Sequence, residues 1–363
     1  MKNIITILNV QNECLKDGPS HLKFASDYFA RIAPIGNKQV KVINYYFKTD
    51  HSKKSVLIQN ICITIKALTI SHDILYYGTD PTNLFLLAML KNIRLYRKKM
   101  CAWKYIALYK PNNIIKALIK KNFYKAFDCI FMVTESHVEE SIMSGMTTKE
   151  KCKYIKWGED ISYIDSINPT SKNSKKLTFI STGKAYRDFD TLCKAFIGVD
   201  AMLKIFVPKK WGDINYQIIL DKYKTANNIR IFYIEDIVNN KYQSILDYLY
   251  AELKSADASV VICKKVNFGV GFTAILDAMV CSKPIIATFH KDNPINIDDC
   301  KIGCTVRAES VELLKEKIIF YSSNQQELRI CGNNGRKLIE SEYNIERVAR
   351  DVVSIMQKLC EDI

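Results

Sequence analysis

The sequence of 363 residues lacks any apolar run approaching the roughly 20 residues of a membrane-spanning helix. It also lacks internal repeats and compositionally biased segments, which excludes solenoid and disordered classes. The first ten residues are too short and too soon polar for a signal peptide, and they favour a first strand. The chain is too long for one typical domain. We therefore expect a cytoplasmic protein of two globular domains.

Signatures of metal and disulfide sites are also missing. Twelve cysteines lie scattered through apolar runs without a C-x-x-C pair, and five histidines show no metal-ligand spacing. Buried, reduced thiols are the expected state. The triplet Asp188-Phe189-Asp190 matches a metal-binding D-x-D only by letters, and we interpret Asp190 as a first-turn acid or cap of a helix. We expect neither a bound metal nor a cofactor.

Acidic residues are absent from Lys91 to Lys125, a stretch that holds 11 basic side chains and supplies much of the net charge of +15. Within it, the segment from Ile114 to Phe127 has the spacing of a basic amphipathic helix. Its lysines fall near one another on that helix: Lys116, Lys120, Lys121 and Lys125. Such a helix can lie on an anionic membrane surface. The alternatives are a solvated helix face or a nucleic-acid-binding tract, and we expect no nucleic-acid partner.

Apolar runs alternate with helical patterns along both halves of the chain, which predicts parallel sheets covered by helices. In the first half we predict strands at residues 4–10, 38–44, 73–77 and 130–133, with helices at 21–32 and 84–90. In the second half we predict strands at 177–181, 203–207, 229–233, 259–263 and 285–287. The expected fold class is α/β, with two Rossmann-like domains facing a cleft. The expected boundaries are 1–167, a linker at 168–175, a second domain at 176–338 and closing helices at 339–363 that pack towards the first domain.

A glycine-opened helix is the most informative local feature. Gly269 and Gly271 lead into Phe272 and Thr273, and the helix continues through Asp277 to an apolar strand at 285–287. The unpaired N–H groups and the positive dipole end at such a helix start favour a phosphate. A carboxylate in the same helix can bind sugar hydroxyls. Together they suit a nucleotide-sugar.

This stretch resembles the donor-binding signature of glycosyltransferase family 4, whose two-domain architecture is called GT-B. The resemblance continues in the segments 179–196, 253–262 and 333–356, in the order and spacing of the family. It implies transfer of a sugar from a nucleotide-diphosphate donor to a glycan or lipid-linked acceptor, as in surface polysaccharide assembly. It also implies a metal-independent, retaining reaction. A GT-B sugar-nucleotide 2-epimerase and a non-catalytic nucleic-acid-binding protein are the alternatives.

The resemblance also implies roles for individual residues. It assigns Lys184 and Arg187, after Gly183, to catalysis as cations facing the donor phosphates. The donor cradle is completed by Gly271, Phe272 and Thr273, while Asp277 is assigned to the ribose hydroxyls. Gly269 stands where the family has its first glutamate, and this difference leaves the identity of the transferred sugar open.

On the acceptor side, the family has a glycine-rich loop after the first strand. Asp17 and Gly18 occupy that position here, and only one glycine is present. Asp17 is a candidate base or acceptor contact, although Asp-Gly-Pro is also ordinary turn chemistry. With the basic helix at 114–127, the resemblance predicts an enzyme at the inner face of a membrane.

Overall fold

The computed structural model describes residues 4–32, 39–47, 53–78, 81–171, 176–237, 242–266 and 269–361. Residues 172–175 of the predicted linker therefore lie outside the described residues, as does Phe268 just before the glycine-opened helix. The chain forms two compact units. One comprises Met1–Asp160 together with Tyr343–Ile363, and the other comprises Ile161–Glu342. The final segment is thus part of the first unit.

The first unit is built on a parallel sheet. Its strands are β1 (Ile4–Asn12), β2 (Gln39–Phe47), β3 (Ile74–Tyr77), β4 (Lys99–Lys104), β5 (Cys129–Met132) and β6 (Cys152–Tyr154). Its helices are α1 (Lys53–Thr69), α2 (Phe85–Asn92), α3 (Ile114–Lys125) and α4 (Glu135–Met143). The strand order β2-β1-β3-β4-β5-β6 reverses direction between β1 and β3. Fully buried strands such as β3 and β5 explain the continuous apolar runs of this half.

The second unit repeats the plan. After α5 (Ile161–Ser166) it contains β7 (Thr178–Thr182), α6 (Phe189–Phe196), β8 (Met202–Val207), β9 (Lys210–Trp211), β10 (Ile214–Asn215), α7 (Tyr216–Asp221) and β11 (Ile229–Tyr233). It continues with α8 (Ile245–Ser255), β12 (Ala258–Val261), α9 (Phe272–Val280), β13 (Ile285–Thr288), β14 (Gly303–Val306), α10 (Val311–Ser323) and α11 (Gln325–Glu342). The parallel sheet has the order β11-β8-β7-β12-β13-β14, and β9 pairs with β10 in a separate hairpin. The order reverses between β7 and β12, and ligands of such sheets bind at the carboxyl ends of the strands at this point.

The last helix, α12 (Ile345–Leu359), is held by the end of the first unit. The backbone N–H of Glu159 donates to Tyr343 O, and that of Ile345 donates to Glu159 O. A Cβ on Gly158 would lie 2.5 Å from the carbonyl oxygen of Asn344. Only glycine allows this close approach of two backbones.

The predicted helix at residues 21–32 is wrong. The structure has turns there, followed by a short 3-10 helix at Ser26–Arg31. Phe24 and Ala25 have left-handed backbones with φ of 54° and 60°. Their neighbourhood is held by side chains instead of a helical ladder, since Gln11 donates to Lys23 O and Tyr76 donates to Phe24 O. These tertiary contacts outweigh local helix propensity.

Two further properties bear on the sequence predictions. All twelve cysteines are free thiols. In the part of the chain that the structure describes, no helix is long and apolar enough to cross a bilayer.

Candidate functional site

Arg187 is at the centre of the candidate site, where the strand order of the second sheet reverses. The chain leaves β7 at Thr182, turns through Gly183 and Lys184, and forms an isolated bridge between Arg187 and Cys263, just beyond β12. The backbone N–H of Lys264 donates to Tyr186 O. The ends of the two central strands are thereby tied together.

The Arg187 side chain is 4% exposed and is fixed by three contacts. Its Nε donates to Thr182 O at 3.0 Å, and its Nη1 lies 3.3 Å from Ala185 O and 3.2 Å from Cys263 Sγ. Among the described residues, Nη2 has no hydrogen-bond acceptor. The guanidinium is therefore pre-oriented, with donors left for an anion.

Gly183 and Gly271 make room for this guanidinium. Both have positive φ, 102° and 85°. A Cβ on Gly183 would lie 2.4 Å from Arg187 Nη2, and a Cβ on Gly271 would lie 2.8 Å from Val261 and 3.6 Å from Arg187 Nη1. The structure thus brings together Gly183, Arg187 and Gly271, three residues singled out in the sequence.

Helix α9 begins beside Arg187. Its N-cap is Gly271, a residue that has no side chain to accept a hydrogen bond from the first turn. Phe272 and the exposed Thr273 form the first turn. The positive end of a helix dipole next to a buried arginine makes an electropositive position suited to a phosphate.

Asp277 lies one turn further along α9. Its Oδ1 accepts a hydrogen bond of 2.8 Å from the Tyr250 hydroxyl of α8. Asp277, the residue predicted to bind the ribose, is thus already hydrogen-bonded to a side chain of the same unit. This contact fixes the orientation of the carboxylate.

Lys184 is exposed on the loop that carries Arg187. Tyr216 holds this loop, because its hydroxyl donates to Lys184 O at 2.6 Å and accepts from Arg187 N at 3.2 Å. Burial raises the pKa of Tyr216, and it also raises the pKa of the Cys263 thiol against the opposing charge of Arg187. Both groups are therefore neutral at neutral pH. Tyr216 and Cys263 belong to no sequence motif, so neither is predicted from the sequence.

The aspartates of the D-x-D-like triplet serve helix α6. Asp188 is the N-cap and accepts from Thr191 N at 3.2 Å, while Asp190 is in the first turn. Partial burial acts to raise the pKa of Asp190, but contacts from Lys194, Lys222 and Tyr223 hold it well below its usual range. Across the described ranges, no group of three or more His, Cys, Asp or Glu side chains could hold a metal ion.

Gly269, which replaces the glutamate of the resembled motif, faces the loop after β13. A Cβ at this position would lie 3.1 Å from Asp292 O and 3.8 Å from Asp292 Cβ. A side chain at position 269 would therefore be crowded by the backbone of Asp292. His290 Nε2 lies 3.1 Å from Val266 O and fastens the same loop.

The first unit has its own polar cluster at the end of β1. Asp17 and Gly18 lie in the turn after this strand, and Asp17 is exposed. Beyond them, Ser20 N donates to Asp160 Oδ2 at 2.9 Å, and His21 Nδ1 lies 2.9 Å from Glu159 Oε2. His21, which belongs to no sequence motif, is buried with Glu159 and Asp160.

The four lysines predicted to face a membrane lie on α3. Lys116, Lys121 and Lys125 are exposed, and Lys120 donates to the carbonyl oxygen of Tyr109 at 2.6 Å. The helix begins at Asn113, whose side chain accepts from Lys116 N. The basic helix predicted from the sequence is confirmed.

Comparisons with known proteins relate this fold to glycosyltransferases. No protein-family profile matches the chain. An uncharacterized glycosyltransferase of Methanocaldococcus jannaschii is 22% identical over 250 residues, which is 66% of this chain and 61% of that protein. The match thus spans about three fifths of the length of that relative.

Solved structures match the whole chain. A glycosyltransferase of Rickettsia africae has a TM-score of 0.71 at 15% identity, with all of both chains covered. HepE of Anabaena in complex with UDP has a TM-score of 0.67 at 11% identity, covering 98% of this chain and all of that one. The chain therefore has the fold of these structures, the GT-B fold of two α/β units that the sequence predicted.

Proposed function

We propose that this protein is a glycosyltransferase of family 4 that transfers a sugar from a UDP-sugar to a glycan or lipid-linked acceptor. The observation that carries the proposal is the buried Arg187 beside the start of α9, at the point where the sheet order reverses. The UDP complex of the similarly folded HepE supports the choice of base. The names of the compared proteins support transfer over 2-epimerisation or nucleic-acid binding.

The departing diphosphate needs its growing negative charge neutralised. Arg187 offers a fixed fork of donors, and Lys184 offers a mobile charge on the same loop. The N–H groups at the start of α9 and the Thr273 hydroxyl complete the cradle. Because Tyr216 and three acceptors of Arg187 pre-orient the loop, little reorganisation accompanies the reaction.

A metal-independent reaction fits this set of cations. Asp188 and Asp190 are engaged with α6 and its neighbouring lysines. Retention of anomeric configuration is proposed from the resemblance, and Asp277, oriented by Tyr250, is proposed to bind the ribose hydroxyls. In the other unit, Asp17 and Gly18 are proposed acceptor-side residues.

A thermal-shift screen tests the function. We expect UDP and UDP-sugars to raise the melting temperature more than GDP, ADP or CMP. Ligand at a hundredfold excess over Kd stabilises the folded state by about 2.7 kcal/mol, so UDP binding should be visible as a shift. Addition of EDTA is expected to leave the shift unchanged. A shift abolished by EDTA would contradict metal independence. The absence of a shift with every nucleotide would contradict the donor site itself.

We further propose that α3 holds the protein at an anionic membrane surface through its lysines. Each lysine near such a surface contributes about 1 kcal/mol. Changing Lys116, Lys120, Lys121 and Lys125 to glutamine should therefore weaken binding to phosphatidylglycerol-containing vesicles at least about a hundredfold at low salt. Sedimentation with vesicles measures this.

A matched control changes to glutamine four exposed lysines of the second unit: Lys210, Lys224, Lys301 and Lys337. This variant has the same net charge as the α3 variant and should bind vesicles more tightly than it does. Equal loss in both variants would mean that overall charge, and not α3, governs the association. UDP-induced thermal shifts should remain unchanged in the α3 variant.

A further inference from the structure

Helix α1 buries three polar side chains beside Ile63 and Ala67, and it exposes most of its large apolar side chains. Gln59, Asn60 and Thr64 are buried, each at most 8% exposed. Large apolar side chains at least 42% exposed lie on the opposite face: Leu57, Ile58, Ile61, Ile65 and Leu68. A helix at the surface of a soluble protein has the reverse pattern.

Hydrogen bonds to α2 and to the 3-10 turn at Pro81–Leu84 that precedes it hold α1 in this orientation. Asn83 Nδ2 donates to Gln59 Oε1 at 3.0 Å, and the backbone N–H of Leu86 donates to Asn60 Oδ1 at 3.3 Å. Thr64 donates to Asn60 O within the helix. Rotating α1 to bury its apolar face would break these contacts and leave buried polar groups unpaired.

The exposed apolar surface continues over α2 and α3. The crossovers from β2 to β5 advance in one direction across the sheet, so their helices lie on one face. The rings of Phe85 on α2 and Phe123 on α3 stack with centroids 5.8 Å apart. Further exposed apolar side chains lie on α2 (Phe85, Leu86 and Met89) and on α3 (Ile114, Ile115, Leu118 and Ile119). We call the exposed side chains of these three helices the α1–α3 surface.

The charges of the α1–α3 surface have one sign. None of the three helices contains Asp or Glu, and exposed cations include Lys66, Lys116, Lys121 and Lys125. The next helix, α4, carries three glutamates and marks the limit of this basic region. Apolar side chains surrounded by cations match an anionic bilayer, with acyl chains below and negative headgroups at the rim.

A groove between α2 and α3 has the same character. It has a volume of about 290 Å³, and its lining includes Phe85, Ile119 and Phe123 together with Lys116 and Lys120. Its apolar walls suit a hydrocarbon chain, and its lysines suit the negative group at the end of that chain. A second copy of the chain fits less well, because a two-fold contact would oppose the same lysines without any acid on these helices to pair with them.

We infer that the α1–α3 surface inserts its apolar side chains into the interfacial layer of an anionic bilayer. This inference rests on the proposed association of α3 with a membrane and adds hydrophobic insertion to the electrostatic attraction of the lysines. Binding by lysines alone is electrostatic and is lost when salt shortens the Debye length from about 8 Å to about 3 Å. Inserted apolar side chains resist salt, because their contribution comes from area removed from water.

The test is sedimentation with vesicles of phosphatidylcholine and phosphatidylglycerol at about 0.15 M and about 1 M NaCl. We expect wild type to stay bound in part at high salt. The triple variant Leu57→Gln, Ile61→Gln and Ile65→Gln should lose at least about tenfold in partitioning at high salt. The lysine variant of α3 should lose more at low salt than at high salt.

Two further variants make the test specific. Ile218→Gln, Ile319→Gln and Ile330→Gln remove exposed apolar side chains from the second unit and should leave partitioning unchanged. Ile115→Gln, Leu118→Gln and Ile119→Gln repeat the test on α3, should the α1 variant unfold. Complete release of wild type at high salt would overturn the inference. Wild-type partitioning of both the α1 and the α3 apolar variants would overturn it as well. It would also be overturned if light scattering showed that wild type is a dimer and that the α1 and α3 apolar variants are monomers. UDP-induced thermal shifts, which report the donor site, should be unchanged throughout.

Discussion

Alanine at position 187 is expected to weaken UDP binding by about 1.5–3 kcal/mol, the usual worth of a hydrogen bond to a charged group. Since 1.4 kcal/mol is about tenfold in Kd, the expected loss is about 10- to 150-fold. The effect should be large because the Arg187 guanidinium is held by Thr182 O, Ala185 O and Cys263 Sγ and so loses little entropy on binding an anion. Isothermal titration with UDP measures it.

Arg230 provides the matched control. It lies in the same unit and donates to the carbonyl oxygens of Ala226 and Ile229, so its replacement by alanine removes a similar set of backbone contacts. Arg230→Ala should bind UDP as wild type does. Arg187→Lys should fall between wild type and Arg187→Ala, because the charge remains and the planar fork is lost. Wild-type affinity of Arg187→Ala, in a protein that is folded, would remove the proposed phosphate site.

The alternating strands and the glycine-opened helix could be predicted because their signals are local. Buried strands such as Ile285–Thr288 appear as short apolar runs between polar turns. Gly271 is followed directly by a mostly apolar helix without Gly or Pro, so the start of α9 could be predicted from the sequence. The fold class follows from the alternation of such elements.

The contacts inside the site could not be predicted, because they depend on strand order. Cys263 reaches Arg187 only because β12 pairs with β7, across 76 residues of sequence. Tyr216 lies beyond a β-hairpin and supports a loop some 30 residues earlier in the chain, a relation that no local pattern reveals. Strand order is a property of the whole sheet.

The reversed polarity of α1 was also beyond local reasoning. Its sequence has apolar residues on both faces, so the buried side is decided by partners such as Asn83. The turns after β1 were misread as a helix for a related reason, since the hydrogen bonds that stabilise them come from Gln11 and Tyr76 on neighbouring strands. In both regions tertiary hydrogen bonds outweigh local preference.

Replacing Gly183 with alanine is expected to impair UDP binding as strongly as Arg187→Ala does, and for a connected reason. A Cβ would lie 2.4 Å from Arg187 Nη2 and displace the guanidinium from its acceptors. The backbone at φ +102° also disfavours a side chain, which should lower the free energy of unfolding by about 1–3 kcal/mol. Chemical denaturation and UDP titration measure the two effects separately.

Gly198 separates backbone strain from the clash. It also has a positive φ, +76°, but a Cβ there would meet no atom within 4 Å. Gly198→Ala should therefore lose stability while its UDP affinity stays at the wild-type value. The double variant Gly183→Ala, Arg187→Ala should bind UDP no more weakly than Arg187→Ala alone, because residues acting through one contact are not additive. Full additivity of the two losses would mean that Gly183 acts on the nucleotide independently of Arg187, contrary to the geometry of the loop.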